Sequence, residues 1–238
     1  MPYLGVNIDH VATLRQARRE KDPDPLSAAR ICEKAGAHSV VCHLREDRRH
    51  IHDKDVQALK RIVNVRFNLE MSLNPRIVNI AAKIKPDQVT LVPERREELT
   101  TEGGLNVDRH FHRVKSVVSF LEKKEIEVSL FIDPVYKQIK RSHQAGVKVI
   151  ELHTGQYALA KTAITRRREL KKIRSMTQYA CGLGLTVNAG HGLKYDNTKP
   201  IALIPGIHEL NIGHSIVSRA VFVGLENAVK EMVKLVKL

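Results

Sequence analysis

Tryptophan is absent from these 238 residues, and tyrosine and phenylalanine number five each. A core therefore has to be built from Val, Ile, Leu and Ala, which suits parallel strands covered by helices. Cysteine is scarce as well: Cys32, Cys42 and Cys181 are far apart and show no CxxC spacing. An odd, scattered set argues against a disulfide framework or a structural zinc site and for a reducing compartment. No apolar run approaches the ~18 residues of a membrane span. The opening MPYLGVNIDH enters a strand-like run at once, without a basic segment followed by an apolar one. The expectation is a soluble cytoplasmic protein, neither secreted nor membrane-spanning.

Acidic residues are in deficit. Lys and Arg total 40 against 26 Asp and Glu, a formal charge of +14. Such an excess attracts anions, whether phosphorylated metabolites, nucleic acid or an acidic partner, and composition does not choose among them. Also missing are Ser/Gly-rich linkers, low-complexity tracts and internal repeats. Residues 1–238 read as a single domain, a length common for one α/β barrel.

What the chain does have is a regular alternation. Strand-like runs occur at 4–9, 39–44, 66–71, 88–92, 128–133, 148–153, 185–190 and 208–213, with helical patterns between them. Asp24-Pro25 and Asn74-Pro75 are helix starts, the first residue capping and the proline at the first helical position. Near the C-terminus, Val221, Leu225, Ala228, Val229, Met232 and Val236 fall on one helical face. Eight such units predict a closed (β/α)₈ barrel. An open doubly wound sheet would show a GxGxxG-type turn after its first strand, and ATLRQARR offers none.

Barrel chemistry sits at the carboxyl ends of the strands, and the polar residues follow that rule. Asn7, Asp9 and His10 end the first strand, His43 and Arg45 the second, and Glu70 lies near the end of the third. Asp133 ends the fifth, Glu151 and His153 the sixth, Asn188 and His191 the seventh, and Gly213 and His214 the eighth. A carboxylate inside RFNLEM is costly unless it is paired or has a task. AGHG (189–192) and NIGHS (211–215) follow strands seven and eight, where glycine-rich backbone and a helix start commonly hold phosphate. Arg45 and His50 could hold a second anion from the opposite side of the mouth, and Arg18 could serve either.

VNIDHVATLRQARR, CHLREDRRHI, NLEMS, LVPERREELTTEGGL, ELHTGQYA, VNAGHGL and ELNIGHSIVSRAVFVGLENAV together resemble the pyridoxine 5′-phosphate synthase family over nearly the whole chain. The resemblance implies a TIM barrel with extra helices, a homo-octamer, transferase chemistry, and no metal or organic cofactor. It implies condensation of 1-deoxy-D-xylulose 5-phosphate with 3-amino-2-oxopropyl phosphate to pyridoxine 5′-phosphate, phosphate and water. By the same resemblance His43 and Glu70 are proton acceptors, His191 is a proton donor, and Glu151 stabilises a charged transition state. Asn7, Arg18, Gly192, Gly213 and His214 match the aminoketone phosphate site. Asp9, His10, Arg45, His50 and Thr100 match the deoxyxylulose phosphate site. TTEGG resembles a loop that closes over substrate, with Gly103–Gly104 permitting the motion.

Other chemistries fit less well. His43, His50, His52 and His153 are the candidate metal ligands, but no HExxH motif or carboxylate facial triad accompanies them in sequence. The basic run 165–174 lacks interleaved aromatics, so it reads as a solvated or subunit-contacting helix face rather than a nucleic-acid site. No strand end carries a lysine, since Lys148 begins its strand, which counts against a Schiff-base aldolase.

Overall fold

A computed structural model describes residues 1–94 and 103–237 of the chain. The strands are β1 (Tyr3–Asn7), β2 (Ser39–His43), β3 (Arg66–Met71), β4 (Gln88–Leu91), β5 (Glu127–Ile132), β6 (Val149–His153), β7 (Thr186–Gly190) and β8 (Ile207–Ile212). Each pairs in parallel with the next and β8 pairs with β1, so the sheet closes as a TIM barrel. Every expected strand run is present, with ends shifted by at most two residues.

Among the described residues the helices begin with α1 (Asp9–Arg18), α2 (Pro25–Lys34), α3 (Asp53–Ile62), α4 (Pro75–Ile84) and α5 (Phe111–Glu122). They continue with α6 (Tyr136–Ala145), α7 (Gly155–Ala158), α8 (Ala163–Gly182), α9 (Thr198–Ala202), α10 (His214–Val223) and α11 (Leu225–Val236). Of these, α1, α7 and α10 are additional to the alternation of one helix per strand, and all three start at the carboxyl ends of strands. The expected helix starts are in place. Asn74 Oδ1 accepts the Arg76 N–H at 2.9 Å, and Asp24 accepts from Leu26 and Ser27. Each such cap is worth about 1 kcal/mol.

One expected helix is two. Gly224, at φ +80°, ends α10 and opens α11, so Val221 does not share the buried face of the last helix and is 70% exposed. The residues that do line that face are Ala228, Val229, Met232 and Val236. Periodicity alone could not see this break, because the spacing of Val221 and Leu225 continues the pattern across the glycine.

The strand period of two divides the core. Leu4, Val6, Val40, Cys42, Leu69, Met71, Val89, Leu130 and Ile150 are fully buried in one aliphatic cluster that also takes in the helices. The alternate positions are polar and equally buried: Ser39, Asn68, Gln88, Thr90, Ser129, Asn188, Glu209 and Asn211. Their side chains meet one another inside the barrel, as Thr90 Oγ1 donates to Asn68 Oδ1 at 2.9 Å. Gly5 leaves room there, since a Cβ would strike the side chains of Asn211 and Ser39. The aliphatic layer therefore lies between sheet and helices, and the barrel interior is hydrophilic.

Candidate active site

Strand register brings the inward-facing polar residues to one level. His43 pairs with Glu70 across β2 and β3, and Glu151 with Asn188 across β6 and β7. From β1, Asn7 Nδ2 donates to Asp9 Oδ2 at 3.0 Å and to Glu70 Oε2 at 3.4 Å. Asn7 Oδ1 accepts the Asp9 N–H at 2.9 Å, and Asp9 Oδ1 in turn accepts the His43 N–H at 2.8 Å. Four residues from three strand ends are thus joined, Glu70 through the Asn7 amide and His43 through the Asp9 carboxylate. Asp9, His43 and Glu70 each offer an atom within 4.8 Å of the others, a possible cation ligand set that sequence spacing does not reveal.

Burial decides the protonation of the carboxyls. Glu70 is pushed well above the usual range by burial, with the Glu151 and Asp9 charges adding to it. Burial also lifts Glu151 to about 8, although Asn211 Nδ2 donates to its Oε2 at 2.6 Å, and Glu209 pushes the same way. Two buried carboxyls whose charges oppose each other do not both ionise near neutrality. Gly190 makes room for Glu151, because a Cβ there would strike its Oε1.

On the other side of the mouth, Gly213 precedes α10 and packs against Asn7, where an added Cβ would lie 2.9 Å from Asn7 Cβ. His214 opens α10 with its ring 5.0 Å from that of His10. His191 and Gly192 both take left-handed backbone, at φ +80° and +77°. A non-glycine residue held there is strained, and such strain concentrates at working sites. Thr154 Oγ1 holds the turn by donating to the carbonyls of Gly190 and His191 at 2.8 and 2.6 Å. Burial, then the His153 charge, pushes His191 down to about 4, so its ring is neutral in the ligand-free site.

The stretch 45–52 forms the remaining wall. His43 and His50 have ring centroids 6.3 Å apart. The Ile51 N–H donates to His50 Nδ1 at 2.9 Å, which leaves Nε2–H of the neutral ring as a donor. Burial lowers the pKa of His50. Arg45 is buried with Asp47 at 3.5 Å. The buried Arg15 braces this wall, donating to both Asp55 oxygens at 2.9 and 2.7 Å and to the His50 carbonyl at 2.9 Å.

The fold thus gathers Asn7, Asp9, His10, His43, Arg45, His50, Glu70, Glu151, His191, Gly192, Gly213 and His214 at one end of the barrel. Arg18 is not gathered in: its side chain is 80% exposed at the end of α1, beside Glu20 at 3.7 Å. Thr100, and with it most of TTEGG, lies outside the described residues. Gly104 has a steric reason to be glycine, since a Cβ would strike the Ile132–Asp133 backbone. Two residues were missed or undervalued. Glu94 Oε1 lies 2.8 Å from His43 Nε2, and Asn211 holds Glu151. Glu94 follows β4 by three positions, so the strand-end rule applied to the fourth strand would have found it.

The family model described as "Pyridoxal phosphate biosynthesis protein PdxJ" matches residues 4–238. The chain belongs to that family. Pyridoxine 5′-phosphate synthase from Synechococcus sp. (strain JA-2-3B'a(2-13)) is 58% identical over 232 residues, covering 98% of this chain and 97% of the relative. The Synechocystis sp. (strain ATCC 27184 / PCC 6803 / Kazusa) protein of the same name is 56% identical over 233 residues, covering 98% and 96%. Among solved structures, KGPDC from Streptococcus mutans superimposes with a TM-score of 0.67 at 14% identity, covering 100% of this chain and 98% of that one. At that identity the likeness shows the barrel alone. Members of the pyridoxine 5′-phosphate synthase family are enzymes of pyridoxine biosynthesis. Among the described residues no helix is long and apolar enough to cross a membrane.

Proposed function

We propose that this chain condenses 1-deoxy-D-xylulose 5-phosphate with 3-amino-2-oxopropyl phosphate to form pyridoxine 5′-phosphate, without a metal or organic cofactor. The observation that carries the reading is the Glu70–Glu151 pair, whose raised pKa values leave a proton to be moved at neutral pH beside His43. The amine of one substrate adds to the ketone of the other and water leaves as the imine forms. Loss of the sugar's phosphate and of a second water accompanies ring closure. Every step transfers protons, and groups titrating near neutrality serve such transfers best. His43 acts as an acceptor, and Glu70 becomes one once positive charge developing on the bound substrates draws off its proton.

Substrate charge tunes the other two groups. An iminium-like cation beside Glu151 favours its carboxylate form, so the group loses its proton when positive charge develops. A phosphate dianion at Gly192, Gly213 and His214 raises the pKa of the nearby His191 and makes it a donor. The start of α10 supports that phosphate position. Asn7 belongs to the same set, and Arg18 joins it if its side chain leaves Glu20. Asp9, His10, Arg45 and His50, with Thr100, hold the deoxyxylulose phosphate, the one that is expelled.

The homo-octamer is part of the same proposal. Phe222, Ile164, Leu159 and Val221 are 83, 82, 77 and 70% exposed, and apolar groups left this open favour assembly. Light scattering on the purified chain tests it.

The deciding experiment is phosphate release by metal-stripped protein given both substrates, with Glu70→Gln alongside. Release that needs both substrates, survives chelation and collapses in the variant supports the reading. Release from one substrate alone defeats it. Loss of activity on chelation would instead make Asp9, His43 and Glu70 metal ligands.

A further inference from the structure

We propose that Asp133 and His153 form a positioning pair that orients the His191 ring and sets when it takes up a proton. The proposal rests on the reading of His191 as the acid of the condensation.

His153 ends β6 two residues after Glu151, so the strand period turns both side chains toward the barrel mouth. It is 4% exposed. Its Nδ1 lies 3.1 Å from Asp133 Oδ1, and that same oxygen accepts the Gly104 N–H at 3.0 Å. The carboxylate is half-exposed and held below its usual range, chiefly by the His153 hydrogen bond. A carboxylate so placed fixes the histidine with Nδ1–H toward it and leaves Nε2 as the basic nitrogen.

That second nitrogen is the unexplained part. His153 Nε2 is buried and has no hydrogen-bond partner among the described residues. A buried polar atom left unpaired is rare enough in a native fold to call for a reason. Gly155 keeps the space beside it open, since a Cβ there would lie 2.5 Å from Nε2. The ring meets His191 edge-on, with centroids 5.0 Å apart and planes at 62°. Phe131 backs both rings, at 5.2 Å from His153 and 6.4 Å from His191. The next residue, Thr154, holds the His191 carbonyl. The end of β6 therefore fixes both the backbone and the ring of His191.

Charge provides the coupling: after burial, positive charge on His153 is what opposes a proton on the adjacent His191. Among the described residues, Lys172 of α8 also acts on Asp133. His191, lowered first by burial, thus stays neutral until an anion arrives beside it.

The test uses the full chain with His153→Asn and Asp133→Asn. In ligand-free protein with isotope-labelled histidine, the His191 resonance, assigned with His191→Asn, is titrated by NMR. Both variants are expected to move its midpoint, upward by roughly one pH unit in His153→Asn. With both substrates, kcat should fall on the order of tenfold or more while KM changes by less than about threefold, and the kcat–pH limb should move the same way. A buried histidine that only fills space would lower stability and leave the His191 midpoint and the pH profile where they are, and that result overturns the pair. A moved midpoint with an unmoved kcat profile overturns it as well. If His153→Asn does not fold, Asp133→Asn, changed at a half-exposed side chain, decides alone. Because the titration needs no turnover, it still judges the pair if wild-type protein fails to convert the two phosphates, which would defeat the functional reading instead.

Discussion

Glu94 Oε1 lies 2.8 Å from His43 Nε2, and its other oxygen accepts the Glu46 N–H at 3.0 Å. Both side chains are buried, 5 and 8% exposed. Burial raises the Glu94 carboxyl, but the hydrogen bonds from His43 and Glu46 and the nearby His43 and Arg45 charges outweigh it and bring the pKa below the usual range. A carboxylate fixed at both oxygens locks the imidazole and leaves Nδ1 as the basic nitrogen. Glu94→Gln keeps the shape and removes the charge, so kcat should fall by about 10- to 100-fold with little change in stability. Steady-state kinetics at saturating substrates check this; a kcat equal to wild type would leave Glu94 with no part in positioning His43.

Why Glu94 escaped the sequence reading is physical. In PERREEL it looks like one charge among several on a solvated loop; the strand-end rule marks its position, but its partner His43 is set by closure of the barrel. The strand ends were legible because alternation fixes the face and parallel register fixes the level, as the pairing of His43 with Glu70 illustrates. Arg18 was illegible in the opposite sense. Helical spacing says nothing about the direction α1 takes from the mouth, and the side chain ends 80% exposed beside Glu20. Backbone strain at His191 is also hard to read from sequence, since histidine carries only a weak preference for a left-handed turn.

The raised carboxyls make stability depend on pH. Glu151 titrates near 8 when folded, above the ordinary carboxyl value of 4.5, so the folded state keeps a proton that the unfolded chain has released. The stability linked to that proton is complete below the ordinary value and is lost as pH rises through the folded one. Glu151→Gln removes the titration and can still accept from Asn211. Its stability relative to wild type should climb from about pH 4.5 to about 8 and then level off, by on the order of a few kcal/mol. Urea unfolding at pH 5 and pH 9 measures it. An equal difference at both pH values would mean that Glu151 is not the proton-holding group.

Gly192 is constrained twice. Its φ of +77° disfavours any side chain, and an added Cβ would lie 2.7 Å from Ala158 Cβ in α7. Gly192→Ala should cost about 1–3 kcal/mol. The same shift displaces the turn that offers backbone to phosphate, so KM for the aminoketone phosphate should rise more than KM for the sugar phosphate. Thermal melts and two-substrate kinetics test both parts. A variant with both KM values unchanged would separate this turn from phosphate binding.

Arg15 carries no assigned role, yet it is the buried strut between α1 and the wall at 45–52. Its guanidinium makes a two-pronged bond to Asp55 and a third bond to the His50 carbonyl, with the two side chains 7 and 5% exposed. Asp55 also accepts the His52 N–H at 2.9 Å, so it ties the start of α3 to the same strut. Removing the cation alone leaves a buried carboxylate without its partner, a change that costs about 3–5 kcal/mol. Arg15→Met should show that loss, and Arg15→Met with Asp55→Asn should recover part of it, because no charge is then stranded. If the strut holds His50 in place, the double variant regains stability but keeps a raised KM for the sugar phosphate. Chemical denaturation and kinetics on the two variants separate these effects; equal stability in single and double variants would show that the buried charge pair is not what braces this wall.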